Sequence, residues 1–402
     1  MMNNVALLMG LYPNAIYNRI VGDSITMPQY AADTLQKSFV VGVSKKRNTT
    51  VINLPYVGSY PNNYKSFFVP SIRCREFGAD IRSLHYCNLT IIKYFLQIKT
   101  TYKALRSWVL ENVQNRTIVI YAINLPFLMA VTKLKKRFPD IKLVQIVPDL
   151  PEFMNSNPSV IHLLSYKLTR EYYHIIDGWI LLSKYMTSKL NIVGRPWRVI
   201  EGIYNPMDTP TEHTEEKHDS VFRIFYGGIL DRRYGIMNLV KAVANSSNKN
   251  VELLLCGYGD ASNEILKLSL ADSRIKLLGA VPRKDVLKLM QTANLLVNPR
   301  TNEGEFTKYS FPSKTMEYLS SGVPTLLYRL PGIPDEYYNY CFSLNKPGVE
   351  VLQSEIERIT KLPKSDLNEM GIKAKQFIRN SKNPEVQCEK LLDLISELES
   401  GC

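Results

Sequence analysis

Residues 299–324 read PRTNEGEFTKYSFPSKTMEYLSSGVP, and this stretch decides the fold. It lies between two short apolar runs, Leu295–Val297 and Val323–Leu327. Runs this short and rich in Val and Leu predict strands buried on both faces, as in a parallel sheet. Pro312 suits the start of a helix and Ser313 its cap, while Gly322 suits the C-terminal stop. The expected unit is therefore strand, long loop, helix, strand. A helix N-terminus at the carboxyl edge of a parallel sheet attracts anions, because its first amides lack partners and its dipole is positive there. Lys314 falls in the first turn, beside any bound phosphate. Glu317 follows one turn later, placed to accept hydrogen bonds from a ribose diol. An ordinary loop and helix with surface charges would share the local pattern.

The segment YSFPSKTMEYLSSGVPTL, residues 309–326, resembles the donor-binding segment of family 4 glycosyltransferases. These are the group 1 enzymes with the GT-B fold, and the likeness is closest to the branch that builds bacterial capsule, O-antigen and exopolysaccharide. The resemblance implies an α/β chain of two Rossmann-like domains facing each other across a cleft. It implies that backbone amides around Ser310, Phe311, Pro312 and Ser313 hold the diphosphate of a nucleotide sugar, with Lys314 beside it and Glu317 on the ribose. The family pattern has two glutamates separated by seven residues. Here Tyr309 holds the first position, and Glu303 and Glu305 are out of register.

The chain has 402 residues, enough for two or three domains with sizeable cores. No run approaches the ~18 apolar residues of a membrane span, and MMNNVALLMG lacks the basic start of a signal peptide. Six cysteines (Cys74, Cys87, Cys256, Cys341, Cys388, Cys402) are scattered without a CxxC pair. That usage suits a reducing cytosol and argues against a zinc cluster. The formal charge of +13 is unevenly placed. Residues 1–205 hold 25 Lys+Arg against 11 Asp+Glu, or +14, and the remainder 25 against 26, or −1. A basic half predicts an acidic partner: phospholipid, nucleic acid or a phosphorylated acceptor. A solvated basic surface with no partner is the alternative.

In the first half, Val5–Met9, Phe39–Val43, Thr50–Leu54, Thr117–Tyr121, Ile141–Val147 and Gly178–Leu182 read as strands. Residues 10–23 and 56–64 read as turn-rich loops. Helices are expected at Phe127–Phe138, Pro158–Ile176 and Ser183–Leu190. The longest is Asn88–Gln114, whose Ile91, Ile92, Phe95, Ile98, Tyr102, Leu105, Trp108 and Val109 recur at three- and four-residue steps. Lys93, Lys99, Lys103 and Arg106 surround that stripe, so this helix either packs on the sheet or rests on an anionic membrane. VPDLPEFM, residues 147–154, resembles the family loop that carries a His-Asp pair. Pro148 replaces the histidine and Asp149 keeps the acid, either as a catalytic group or as a cap for the next helix.

Residues 206–220, PMDTPTEHTEEKHDS, read as a linker between a first domain, 1–205, and a second, 221–382. His213 and His218 lie in it. The second domain opens with VFRIFYGG, a strand whose Gly227 and Gly228 let backbone approach a phosphate. The following ILDRRYGI resembles the family's glycine-loop segment, in which an arginine and a lysine clamp the diphosphate. Ile229 and Tyr234 stand in their usual places, leaving Arg232 and Arg233 as the available cations. Two exposed arginines on a turn would read the same way. Strands are expected at Val251–Cys256 and Ile275–Leu278. The resemblance places Gly257, Gly259 and the Ala280–Val281 backbone around the nucleotide base. Helices follow at Ile236–Ala244, Lys284–Thr292, Ser365–Asn380 and Pro384–Glu399. Residues 383–402 are expected to return to the first domain, as in GT-B enzymes.

The expected function is sugar transfer from a nucleotide diphosphate sugar to a glycan or an undecaprenyl-diphosphate-linked acceptor. The resemblance implies retention of configuration and no metal or other cofactor, with Asp149, Arg233 and Lys314 as the catalytic set. A cytoplasmic location at the inner membrane face follows from a lipid-linked acceptor. A sugar-nucleotide epimerase on the same fold is the second reading. A basic nucleic-acid binder is the third, though no RNP, KH or helix-turn-helix signature supports it.

Overall fold

The computed structural model describes residues 3–114, 116–154, 160–204 and 221–401, with the backbone alone at 91, 154 and 160–163. The expected linker 206–220, with His213 and His218, lies outside the described residues, as does the expected helix start at Pro158. The chain divides into one unit of Met1–Asn205 with Pro384–Cys402 and a second of Pro206–Asn383.

The first unit is built on strands β1 Asn4–Met9, β2 Asn48–Asn53, β3 Phe68–Val69, β4 Ile72–Glu76, β5 Ala79–Ser83, β6 Tyr86–Cys87, β7 Thr117–Tyr121, β8 Lys142–Val147, β9 Gly178–Leu181 and β10 Trp197–Val199. Eight of them form one sheet in the order β10-β9-β8-β7-β1-β2-β5-β4, and β3 pairs with β6. Only the edge strand β4 runs antiparallel in the large sheet. The central strands β7 and β8 are rich in Ile and Val and buried along almost their whole length, as expected of a parallel sheet covered on both faces, with Thr117 and Gln145 the buried polar residues among them. The terminal helix Pro384–Ser400 belongs to this unit. Its Cys388, Leu391, Leu394 and Ile395 join the core of Val5, Leu7, Val119 and Ile146.

Two sequence expectations fail here. Phe39–Val43 is not a strand but part of the helix Tyr30–Ser44. Gln36, Phe39, Val40 and Val43 are buried at three- and four-residue steps, and a short apolar run does not by itself distinguish helix from strand. Residues 10–23 are not all loop, since Tyr17–Asp23 is helical. The long helix runs from Thr90 to Glu111. Its apolar stripe divides: Leu105, Trp108 and Val109 are buried, while Phe95 is 71% exposed. Lys93 is only 8% exposed, and its Nζ donates to the Val57 carbonyl at 3.4 Å, so it does not stand with Lys99, Lys103 and Arg106 on the open face.

The second unit holds β11 Phe222–Gly227, β12 Val251–Cys256, β13 Ile275–Gly279, β14 Leu295–Asn298, β15 Thr325–Tyr328 and β16 Phe342–Leu344. All pairs are parallel, in the order β13-β12-β11-β14-β15-β16. Counted within the unit this is 3-2-1-4-5-6, the doubly wound order of Rossmann-like domains. The order reverses between β11 and β14, where loops leaving the carboxyl ends diverge and open a crevice. Residues 295–328 form β14, a loop, the helix Ser313–Ser321 and β15, with Gly322 closing the helix in the left-handed conformation.

Candidate functional site

The crevice begins with backbone packed on backbone. Gly228 N donates to Cys256 O at 2.8 Å and Leu230 N to Tyr258 O at 2.9 Å, tying the loop after β11 to the loop after β12. A Cβ on Gly257, whose φ is +132°, would lie 1.8 Å from Gly228 O. A side chain there would push the two loops apart, so the glycine is required by close approach as well as by conformation.

The loop–helix junction faces the same loop. Phe311 is anchored in the interior, its ring centroid 5.3 Å from that of Tyr337. Pro312, in extended conformation, occupies the cap position, and no side chain caps the helix. Ser313 is already helical and exposed, so its expected capping role is corrected. Lys314 turns back onto the glycine loop. A Cβ on Gly228 would lie 2.2 Å from Lys314 Cε and 2.6 Å from Nζ. Nζ is 5.7 Å and 5.8 Å from the ring centroids of Tyr226 and Tyr318. Tyr226 donates its hydroxyl proton to Ile229 O at 2.8 Å, and Tyr318 Oη accepts from Gly227 N at 3.1 Å. Burial pushes the Lys314 ammonium below its usual pKa; Glu317 opposes that shift and Arg283 adds to it. A cation poorly hydrated in this way gains more than an exposed lysine when an anion enters.

Glu317 is mostly buried and ion-paired with Arg283, the first residue of the helix Arg283–Thr292. Sequence reasoning passed over Arg283, whose only signal is its place just after Val281-Pro282. Val281 is half-buried and packs against the cluster of Phe225, Leu254 and Cys256.

Arg232 and Arg233 line a cavity of about 440 Å³ together with Asn238, Thr301, Glu303 and Phe306. Each already has a carboxylate. Arg232 pairs with Glu264 at 2.6 Å, and Arg233 grips Asp231 through Nε at 3.0 Å and Nη2 at 2.6 Å. Arg233 holds the Asp231 carboxyl below its usual pKa. A third arginine, missed in the sequence, lies beside them. Arg300 Cζ is 5.0 Å from the Tyr234 ring centroid and 4.9 Å from that of Phe306, and Nη2 donates to Ser310 Oγ at 3.0 Å. Its position directly after β14 is the signal that could have found it. Tyr309 is buried and donates its hydroxyl proton to Glu305 Oε1 at 2.8 Å.

Gly227, Gly228, Arg232, Arg233, Gly257, Val281, the run 310–314 and Glu317 thus all belong to the second unit. Asp149 does not. It is exposed at the end of β8 in the first unit, near Tyr121, whose hydroxyl pKa is raised by burial and further by the Asp149 charge.

With this geometry in view, the likenesses to known proteins are consistent. Residues 222–360 match the model of the family described as glycosyl transferases group 1. No curated protein matches the chain. Among solved structures, a sucrose-phosphate synthase from Thermosynechococcus elongatus aligns over 100% of both chains at 15% identity and a TM-score of 0.63. An E. coli trehalose-6-phosphate protein with UDP-2-fluoro glucose bound covers 98% of this chain and 99% of its own, at 10% identity and 0.66. A glycosyltransferase from Rickettsia africae aligns over 100% of both at 12% and 0.64. At such identities the structural likeness speaks for the fold alone, which is that of GT-B glycosyltransferases. The second unit carries a group 1 glycosyltransferase domain, and the chain is a glycosyltransferase.

Proposed function

We propose that the chain transfers a sugar from a nucleotide diphosphate sugar to a glycan or to a lipid-diphosphate-linked oligosaccharide. On this reading it is a family 4 enzyme of the capsule, O-antigen and exopolysaccharide branch. The observation that carries it is the closure of Lys314 onto Gly228 where the strand order reverses. There, the amides opening the helix Ser313–Ser321, a poorly hydrated ammonium and a glycine loop gather in one crevice. The crevice suits a diphosphate leaving group, whose developing charge is stabilised by fixed dipoles and cations. The proposal assigns that work to Lys314 and Arg233 without a metal, retention of configuration to the resemblance, and Asp149 of the first unit to the acceptor side. Glu317, released from Arg283, takes the ribose.

Membrane docking belongs to the same proposal. Unit 1 exposes Phe67, Phe68, Ile92, Tyr94 and Phe95. The rings of Phe67 and Phe68 are 4.7 Å apart, and Asn88 N donates to Phe67 O beside the start of the long helix. Basic residues predominate in this half of the chain, so the surface suits an anionic leaflet presenting a lipid-linked acceptor at the cytoplasmic face. No described helix is long and apolar enough to cross a membrane. Nucleic acid is not part of the proposal.

The test is to incubate the full chain with uridine, guanosine and adenosine diphosphate sugars, with and without polyprenyl-diphosphate oligosaccharides. Sugar appearing on the lipid supports transfer. Interconversion of free nucleotide sugars without acceptor would instead support the epimerase reading.

A further inference from the structure

We propose that Gly332 is a positioning residue for the donor: it seats the loop that leads into the helix Ser313–Ser321, so that the amides opening that helix stand where a diphosphate needs them. The proposal rests on the donor reading above. Three observations carry it.

The first is contact of backbone with backbone. Gly332 is buried in the loop that follows β15. Its N–H donates to Thr307 O at 3.1 Å. A Cβ on it would lie 2.3 Å from Ser310 O and 2.7 Å from Thr307 O. Both residues belong to the loop between β14 and the helix, Thr307 within the 3-10 turn Glu305–Lys308. The missing side chain of Gly332 is thus the space against which the donor loop closes.

The second is that the seat is itself held. Tyr338 Oη accepts from Leu330 N at 2.8 Å and donates to Leu330 O at 3.3 Å, and Ile333 N donates to the same carbonyl at 3.0 Å. Tyr338 lies in the 3-10 helix Asp335–Tyr340. Its neighbour Tyr337 packs on Phe311, centroids 5.3 Å apart, and on Phe377 of the helix Lys364–Ser381 at 5.2 Å. Residues 330–338 therefore grip the donor loop twice, at the backbone of Thr307 and Ser310 and at the ring of Phe311.

The third is the size of the tolerance. Ser310 stands two residues before Pro312, which occupies the cap position of the helix. Any side chain at 332 must drive the Ser310 carbonyl from 2.3 Å to at least 3.0 Å, a shift of about 0.7 Å. The colliding atoms are main-chain carbonyls, so no rotamer change absorbs the clash. A preorganised site holds its geometry to within about 0.5 Å. The shift exceeds that margin and is passed through Phe311 to the amides at the helix start.

The experiment is calorimetric titration of the full chain with uridine and guanosine mono- and diphosphates, in wild type, Gly332→Ala and Tyr338→Phe, with urea denaturation of each. Gly332→Ala should weaken the diphosphates by about tenfold or more and the monophosphates by less, because the displaced amides serve the phosphates. Tyr338→Phe keeps the ring but frees Leu330, and should weaken the diphosphates by about threefold. It serves if the alanine variant does not fold. A role in folding alone would lower stability and leave the affinity of the folded protein unchanged. Unchanged diphosphate affinity in Gly332→Ala, or an equal loss for mono- and diphosphates, would overturn the role of Gly332. Where only Tyr338→Phe folds, unchanged affinity in it would do the same. Wild type binding none of the four nucleotides would overturn the donor reading, and Gly332 with it.

Discussion

Gly228 and Lys314 are fitted to each other: a methyl group on the glycine would stand 2.2 Å from the lysine Cε. The glycine therefore does more than permit a turn, because its missing side chain is the space the lysine occupies. Gly228→Ala should displace the ammonium and weaken nucleoside diphosphate binding nearly as much as Lys314→Ala. The charge-assisted hydrogen bond from ammonium to phosphate, removed by either change, is worth about 1.5–3 kcal/mol. Calorimetry on both variants checks it, and an alanine at 228 that binds like wild type would separate the two residues.

Lys314 also predicts a pH signature. Burial lowers its folded pKa, so between that value and the usual ~10.4 the unfolded chain holds more protons and stability rises with pH. A bound diphosphate reverses the shift by favouring the ammonium. Binding in that alkaline window should therefore take up protons. Titrations stepped through the alkaline range below the usual ~10.4, in buffers of different ionisation enthalpy, measure the uptake, which Lys314→Ala should abolish. Equal uptake in the variant would assign the proton elsewhere.

Glu317→Gln should weaken mono- and diphosphates alike, because the ribose is common to both, by about 1.5–3 kcal/mol. Arg283→Ala is the companion. It removes the partner that Glu317 must leave, so it should preserve or improve binding. Normal binding by Glu317→Gln would leave pairing with Arg283 as that carboxylate's role.

The β14–loop–helix–β15 unit was legible because its signals are local: two apolar runs, a proline before the helix and a glycine after it. The strand expectation for Phe39–Val43 failed because those residues are covered by Cys388 and Leu392 of a helix almost the whole chain away, which periodicity over five residues cannot reveal. Lys314, Glu317 and the glycines were legible from a pattern. Arg283 and Arg300 were not, since each gains its meaning from a partner across the fold, Glu317 for one and the Tyr234 and Phe306 rings for the other. Lys93 was misread because what buries it is the loop carrying the Val57 carbonyl, distant in sequence, which helical periodicity does not reveal.

The terminal helix should be essential to the first unit's stability. Glu399 pairs with Arg47 at 3.0 Å, both side chains nearly out of solvent, and accepts from Thr117 Oγ1 at 3.1 Å. Glu399→Ala strands the arginine and should cost about 3 kcal/mol, the lower end for a broken buried pair. Urea denaturation measures it. A loss below about 1 kcal/mol, as for an exposed pair, would mean the pair contributes little.

Membrane docking should depend on the aromatic end of the long helix. Phe95→Asp with Phe68→Asp should abolish binding to anionic vesicles while leaving nucleotide binding intact. Each nearby Lys or Arg adds about 1 kcal/mol, so high salt should also weaken attachment. Undiminished co-sedimentation of the double variant would move the docking face elsewhere.

The central claim, that a nucleoside diphosphate sits in the crevice of the second unit, is tested most directly by hydrogen exchange on the full chain with and without saturating uridine or guanosine diphosphate. The account predicts slowed exchange in residues 227–235 and 310–318 and no change in β4 and β5. Protection confined to the first unit, or none in either loop despite saturation, would contradict it.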